Sequence, residues 1–142
     1  MSQSRRKFVN FLLTTSLGGW LISVLYPVVS YLKPPKVPEA NVNSVKAGTV
    51  DTFAINSSAI IKFGRQPVIL IRTDSGDFKA LSATCTHLDC IVQYKTDTKQ
   101  IWCACHNGIY DLTGRNVSGP PPKPLKEYAV NVVKNEIIVS QV

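Results

Sequence analysis

From Phe8 to Leu32 the chain carries no charged side chain. A helix of those 25 residues would be roughly 37 Å long, enough to cross a hydrocarbon layer of about 30 Å with some tilt. As a core helix the same segment would need a protein large enough to surround it. The rest of the 142-residue chain suffices for one modest domain and cannot do that. The run is therefore read as a single membrane-spanning helix, with Pro27 kinking it or loosening its last turn.

Charge follows the same division. Sixteen Lys and Arg against nine Asp and Glu give +7, a balance that could point to an acidic partner. Five of the basic residues (Arg5, Arg6, Lys7, Lys33, Lys36) precede residue 37, however, and residues 41–142 hold eleven basic and eight acidic ones. This is a near-neutral domain with a basic leader, and nucleic acid is not an expected partner. A hydrophobic content of 44% excludes a disordered chain. In the leader, Ser4-Arg5-Arg6-Lys7-Phe8-Val9 resembles the twin-arginine export signal, a route for proteins already folded around a cofactor. No convincing A-x-A cleavage site follows. Residues 1–32 are thus expected to stay as a signal-anchor in a bacterial or archaeal cytoplasmic membrane, amino terminus inside and the head on the outer face. Residues 33–43 (KPPKVPEANVN) hold three prolines and read as an extended, semi-rigid hinge.

Residues 44–142 read as an all-β domain, a small antiparallel sandwich or barrel. Candidate strands are Val50–Ile55, Ile60–Phe63, Val68–Thr73, Phe78–Ser82, Ile91–Tyr94, Gln100–Cys103, Tyr128–Val133 and Glu136–Ser140. Turns are expected at Asp74–Asp77, Thr96–Thr98 and Lys134-Asn135. No long amphipathic helix, internal repeat or low-complexity tract fits in this part.

The chemistry is concentrated in Cys85-Thr86-His87-Leu88-Asp89-Cys90 and Cys103-Ala104-Cys105-His106-Asn107-Gly108, which contain every cysteine and both histidines of the chain. A structural zinc takes four ligands, usually in knuckles of two-residue spacing. Six candidates are two too many, and C-x-H and C-x-C are poor knuckles. Four cysteines confined to residues 85–105 are also too few for a disulfide scaffold.

This arrangement, C-x-H, fifteen residues, then C-x-x-H, closely resembles the Rieske iron–sulfur proteins. The resemblance implies a Rieske domain with an inserted cluster-binding subdomain. It implies one [2Fe–2S] cluster, with Cys85 and Cys103 on one iron and His87 and His106 on the other. It implies a Cys90–Cys105 disulfide, as in the quinol-oxidising branch, joining the two cluster loops. Leu88 matches the leucine that shields the cluster, and Tyr110 the tyrosine whose hydroxyl bonds a ligand sulfur, here Cys85. The run from Gly119 and Pro120 to Pro122 matches the Gly-Pro-x-Pro loop that covers the cluster from a third side. Trp102 reads as a core residue without an electron-transfer role.

Charge counting says what mixed ligation is for. Two ferric ions, two sulfides and two thiolates are neutral together, and one electron makes them −1. Four thiolates would make the same states −2 and −3. Histidine ligation therefore eases reduction, to about −150 to +300 mV in this class. Each imidazole also keeps a nitrogen away from the iron that can take a proton, as hydroquinone oxidation requires.

The resemblance thus implies the Rieske subunit of a cytochrome bc-type (bc or bf) quinol–cytochrome c oxidoreductase, in which His87 and His106 contact quinol and accept its proton. The implied partners are a cytochrome b-type membrane subunit, membrane quinol and a c-type cytochrome, in a dimeric complex. The alternative is the small subunit of a non-quinol enzyme such as arsenite oxidase. Three positions depart from the family pattern: Asp89 for glycine, Ala104 for proline, and Asn107-Gly108 for Gly-Ser. The missing serine would have bonded a bridging sulfide, and losing such a bond lowers the potential by roughly 60–130 mV. The expectation is a low-potential centre suited to menaquinol, raised by several tens of millivolts in Gly108→Ser.

Overall fold

The computed structural model describes residues 3–34 and 42–142 and divides the chain into two units, Met1–Pro38 and Glu39–Val142. The first contains one helix, α1 (Gln3–Leu32), none of whose residues is buried. It is long and apolar enough to cross a membrane, and it runs on through Pro27 to Leu32. Three of its hydroxyls turn back onto the helix: Thr14 donates to the Asn10 carbonyl, Thr15 to that of Phe11 and Ser16 to that of Leu13. Such internal satisfaction lets polar side chains sit in an apolar medium.

The head holds ten strands: β1 (Ser44–Thr49), β2 (Ser57–Phe63), β3 (Gln66–Arg72), β4 (Phe78–Ser82), β5 (Gln93–Lys95), β6 (Gln100–Cys103), β7 (Gly108–Tyr110), β8 (Asn116–Ser118), β9 (Glu127–Val133) and β10 (Glu136–Gln141). Six form an antiparallel sheet in the order β1-β10-β9-β4-β3-β2, whose outer strands β1 and β2 come near enough to almost close it. The other four form a second antiparallel sheet, β5-β6-β7-β8, inserted between β4 and β9. The expected all-β head with an inserted subdomain is what folds.

Strand β3 explains how the two sheets share a core. Val68 and Leu70 pack with Phe63, Ala80, Tyr128, Ile137 and Val139 inside the six-stranded sheet. Ile69 and Ile71 point the other way, to Leu81, Val92, Ile101, Tyr110 and Leu125. All four are 0–1% exposed. A strand covered on both faces reads as a continuous apolar run, as this one does. Cys85 and Cys103 belong to the second of these cores, so the candidate thiol ligands are anchored in the layer between the sheets.

Several expectations need correction. Val50–Ile55 is not a strand: β1 ends at Thr49, and Val50–Thr52 is a 3₁₀ turn. Val50 and Phe53 are three apart and both pack on the six-stranded core, which is 3₁₀ spacing rather than strand alternation. Arg72 holds the turn by donating from Nη1 to the carbonyls of Val50 and Phe53. Ile91–Tyr94 begins as an isolated bridge, Thr84 with Ile91, and the strand itself is Gln93–Lys95. Strands β1, β7 and β8 lie outside the expected set, and Trp102 is half-buried rather than core. Within the expected hinge, residues 35–41 fall outside the described residues, whereas Val42 packs on the six-stranded core and the Asn43 carbonyl accepts from Gln141 N–H.

Candidate metal centre

The first cluster loop leaves β4 and turns back on itself. Cys85 N–H donates to the Cys90 carbonyl at 2.8 Å and Asp89 N–H to the Cys85 carbonyl at 3.1 Å. That turn requires a left-handed residue, and Asp89 supplies it at φ 56°. The second loop is a hairpin whose last rung pairs Cys103 with Gly108, and Asn107 closes it at φ 55°. Asp89 and Asn107 are the positions where the family pattern has glycine. Asp and Asn are the non-glycine types that adopt this conformation at least cost, so the departures keep the backbone the loops need.

The loops bring the six residues together in pairs. Cys90 and Cys105 form a disulfide across them. Cys85 and Cys103 are free thiols, 1% and 2% exposed. The His87 and His106 rings stand edge to face, with their Nδ1 atoms 3.2 Å apart. Two nitrogens bound to one metal at about 2.0–2.1 Å, between a right angle and a tetrahedral one, stand about 2.8–3.4 Å apart. The histidine pair thus has the spacing of two ligands on one ion. Two buried thiols and two converging imidazoles are a donor set that fits a mixed cysteine–histidine [2Fe–2S] centre. The Cys103 sulfur lies within 4.8 Å of both disulfide sulfurs, but those two are already bonded to each other and are not free ligands.

Tyr110, fully buried, sets the environment of Cys85. Its hydroxyl lies 3.3 Å from the Cys85 sulfur and 3.2 Å from both the amide nitrogen and the hydroxyl of Thr86. Burial pushes the Cys85 thiol up, but the bonds from Tyr110, the His87 and Leu88 backbone and Cys103 outweigh it and leave it below its ordinary value. Cys103 is pushed up, by burial first and then by its bond to Cys85. Burial also raises Tyr110, followed by its bond to Cys85, so its hydroxyl keeps the proton it offers.

The Gly-Pro loop is stitched to both cluster loops. Thr86 Oγ1 donates to the Lys123 carbonyl at 2.7 Å, fixing it to the first. Gly119 (φ 92°) approaches the second so closely that a Cβ there would lie 2.8 Å from the Asn107 oxygen and Gly108 Cα. Pro121 is buried over Gly108, where a Cβ would come within 2.6 Å of the Pro121 ring. The space of the missing serine is therefore occupied, and Gly108→Ser would displace the loop before gaining any hydrogen bond. Leu88 is 64% exposed, at the same end as the histidines, and Pro120 is exposed as well. Sequence reasoning passed over Thr86, whose hydroxyl bridges Tyr110 and Lys123, and the bond from Trp102 to Asn107. A threonine between two ligand-type residues carries no sequence signal for such a bridge.

An insertion of four short strands into a nearly closed antiparallel sheet, presenting two cysteine–histidine loops, defines a small iron–sulfur electron carrier. Residues 37–129 match the Rieske [2Fe-2S] domain, and the chain belongs to that family. Its cofactor is a Rieske-type [2Fe–2S] cluster. The chain is 38% identical over 120 residues to the cytochrome b6-f complex iron-sulfur subunit of Chlorobaculum thiosulfatiphilum, covering 84% of this chain and 66% of that one. It is 36% identical to the corresponding subunit of Synechococcus sp. strain RCC307, covering 96% and 84%. Against the Chlorobaculum relatives the chain spans just under two thirds of their length. Among solved structures it resembles the plasma membrane Rieske protein PetC3 of Synechocystis PCC 6803, with TM-score 0.60, 29% identity and coverage of 68% and 98%. The ferredoxin of carbazole 1,9a-dioxygenase from Nocardioides aromaticivorans matches with TM-score 0.62 at 22% identity, covering 70% and 99%, which shows the fold alone.

Proposed function

We propose that this chain is the electron-transfer subunit of a cytochrome bc-type quinol–cytochrome c oxidoreductase, with Cys85, Cys103, His87 and His106 as its cluster ligands. The observation that carries the reading is the pair of Nδ1 atoms 3.2 Å apart beside two buried thiols, on loops joined by the Cys90–Cys105 disulfide. The disulfide favours the quinol-oxidising branch, and the relatives of known assembly are subunits of a cytochrome b6-f complex. When bound, the cluster takes up and releases one electron at a time.

The chain's own residues do the rest. His87 is half-buried and His106 exposed, so the ring edges opposite Nδ1 reach the surface, where each can accept a quinol hydroxyl proton. Leu88 beside them offers an apolar contact for a quinone ring. Tyr110 holds a hydrogen bond on Cys85 without giving up its proton, and the Gly-Pro loop covers Gly108 at the base of the second loop. Helix α1 anchors the subunit by a single pass beside a cytochrome b-type partner in a dimeric complex. Its amino terminus is cytoplasmic, and the head faces outward toward a c-type cytochrome. Residues 33–43 act as the hinge, residues 1–32 as the twin-arginine signal-anchor, and the quinol is menaquinol.

The test is to purify the complex with this chain in place and mix it with menaquinol and ubiquinol analogues under stopped flow. Rapid reduction of the cluster by menaquinol, abolished by Leu88→Asp with the cluster spectrum intact, is the expected result. A cluster that neither quinol reduces returns the chain to the class of non-quinol electron carriers.

A further inference from the structure

The indole of Trp102 reaches a residue outside the proposed ligand set. Trp102 sits in β6, one place before Cys103, and its Nε1–H donates to Asn107 Oδ1 at 3.0 Å. Asn107 follows His106 directly and closes the hairpin in the left-handed conformation. Lys95 lies over the indole, with Nζ 4.2 Å from the ring centroid. The register explains how it gets there: Gln93 is directly opposite Trp102, so Lys95 is its diagonal neighbour on the same face. The ring is thereby held between β5 and the loop.

The His106 ring needs such support. It is exposed, and among the described residues its one hydrogen-bond partner is His87 Nδ1. An exposed ring held this lightly takes its aim from the backbone that carries it. That backbone is tied at Cys103–Gly108 by the last rung, at Cys105 by the disulfide and at Gly108 by close contact with Gly119. The Asn107 carbonyl also packs on Gly119, and its side chain adds a further tie that a glycine there would lack.

We propose that Trp102 is a positioning residue for His106: by fixing Asn107 it holds the loop conformation that points His106 Nδ1 at His87 Nδ1. This rests on the ligand assignment above. Trp102→Phe keeps the ring and removes the donor, whereas Asn107→Gly keeps the left-handed backbone and removes the acceptor. In the cluster-loaded protein each variant broadens the EPR lines and alters the visible circular dichroism of the reduced centre. Each also speeds cluster loss to a chelator roughly fivefold, the equivalent of about 1 kcal/mol for one hydrogen bond. Because both act on one bond, the double variant loses its cluster no faster than either single one. Asn107→Asp, which keeps the acceptor oxygen, restores the native line shape. Unchanged spectra in both single variants, or additive loss in the double one, overturn the proposal. Should Trp102→Phe fail to fold, Asn107→Gly reads the same bond. A parallel His106→Cys variant separates the two claims. An untouched cluster spectrum there refutes the ligand assignment, whereas a lost one beside unchanged Trp102→Phe and Asn107→Gly spectra refutes only the positioning role.

Discussion

Replacing Gly119 by alanine lowers the melting temperature of the head by roughly 10–25 °C and loosens its hold on the cluster. Two costs add. Gly119 stands at φ 92°, where an L side chain carries a penalty of about 1–2 kcal/mol. The new methyl would also meet the Asn107 carbonyl oxygen and Gly108 Cα at 2.8 Å, both backbone atoms that cannot rotate away. Overpacking of this kind costs about 1–3 kcal/mol, so the sum is about 2–5 kcal/mol. Relief by moving the Gly-Pro loop would pull at the bond between Thr86 and Lys123 on the first cluster loop, so the damage reaches both. A thermal melt followed by circular dichroism checks it, and a shift of only about a degree or two would mean the loop is not pinned here.

Tyr110→Phe lowers the midpoint potential of the cluster by roughly 60–130 mV. The hydroxyl 3.3 Å from the Cys85 sulfur stabilises the reduced state, because the sulfur gains negative charge when the electron arrives. A hydrogen bond to a charged acceptor is worth about 1.5–3 kcal/mol, and about 1.4 kcal/mol is 59 mV for one electron. The phenyl ring fills the same buried space, so packing is kept, while the Thr86 amide loses the same hydroxyl as its acceptor. Among the described residues Tyr110 is the hydroxyl in contact with a candidate ligand sulfur, since Pro121 covers the place where the family pattern has serine. Redox titration of both proteins decides it; an unchanged or higher potential in the variant would remove Tyr110 from the determinants of the potential.

What was legible in the sequence was what chemistry imposes on residue type. Four thiols and two imidazoles in two short loops restrict the site whatever the surrounding fold, and across those loops Cys90 meets Cys105 and His87 meets His106. The uncharged run became a helix, and the apolar run at Val68–Ile71 became the strand shared by both cores. Failures came where the structure departs from local periodicity. Val50 and Phe53 reach the core through a 3₁₀ turn that imitates alternation, and β7 and β8 are three residues each, too short to show a period. The contact of Gly108 with Gly119 and Pro121 is long-range, so nothing local announces it. For that reason Gly108 read as a lost hydroxyl when its lack of a side chain in fact admits the covering loop. Trp102 read as core because large aromatics usually are, yet its N–H needed a partner and found Asn107 at the surface.

The central claim is that two histidines and two cysteines hold the cluster. The most direct measurement is electron–nuclear double resonance on the reduced, purified protein, with nitrogen-15 placed in histidine alone. The account predicts couplings from two histidine nitrogens, with one lost in His87→Cys and one in His106→Cys wherever those variants keep a cluster. Finding no coupled histidine nitrogen, or the same two couplings after either substitution, would contradict it.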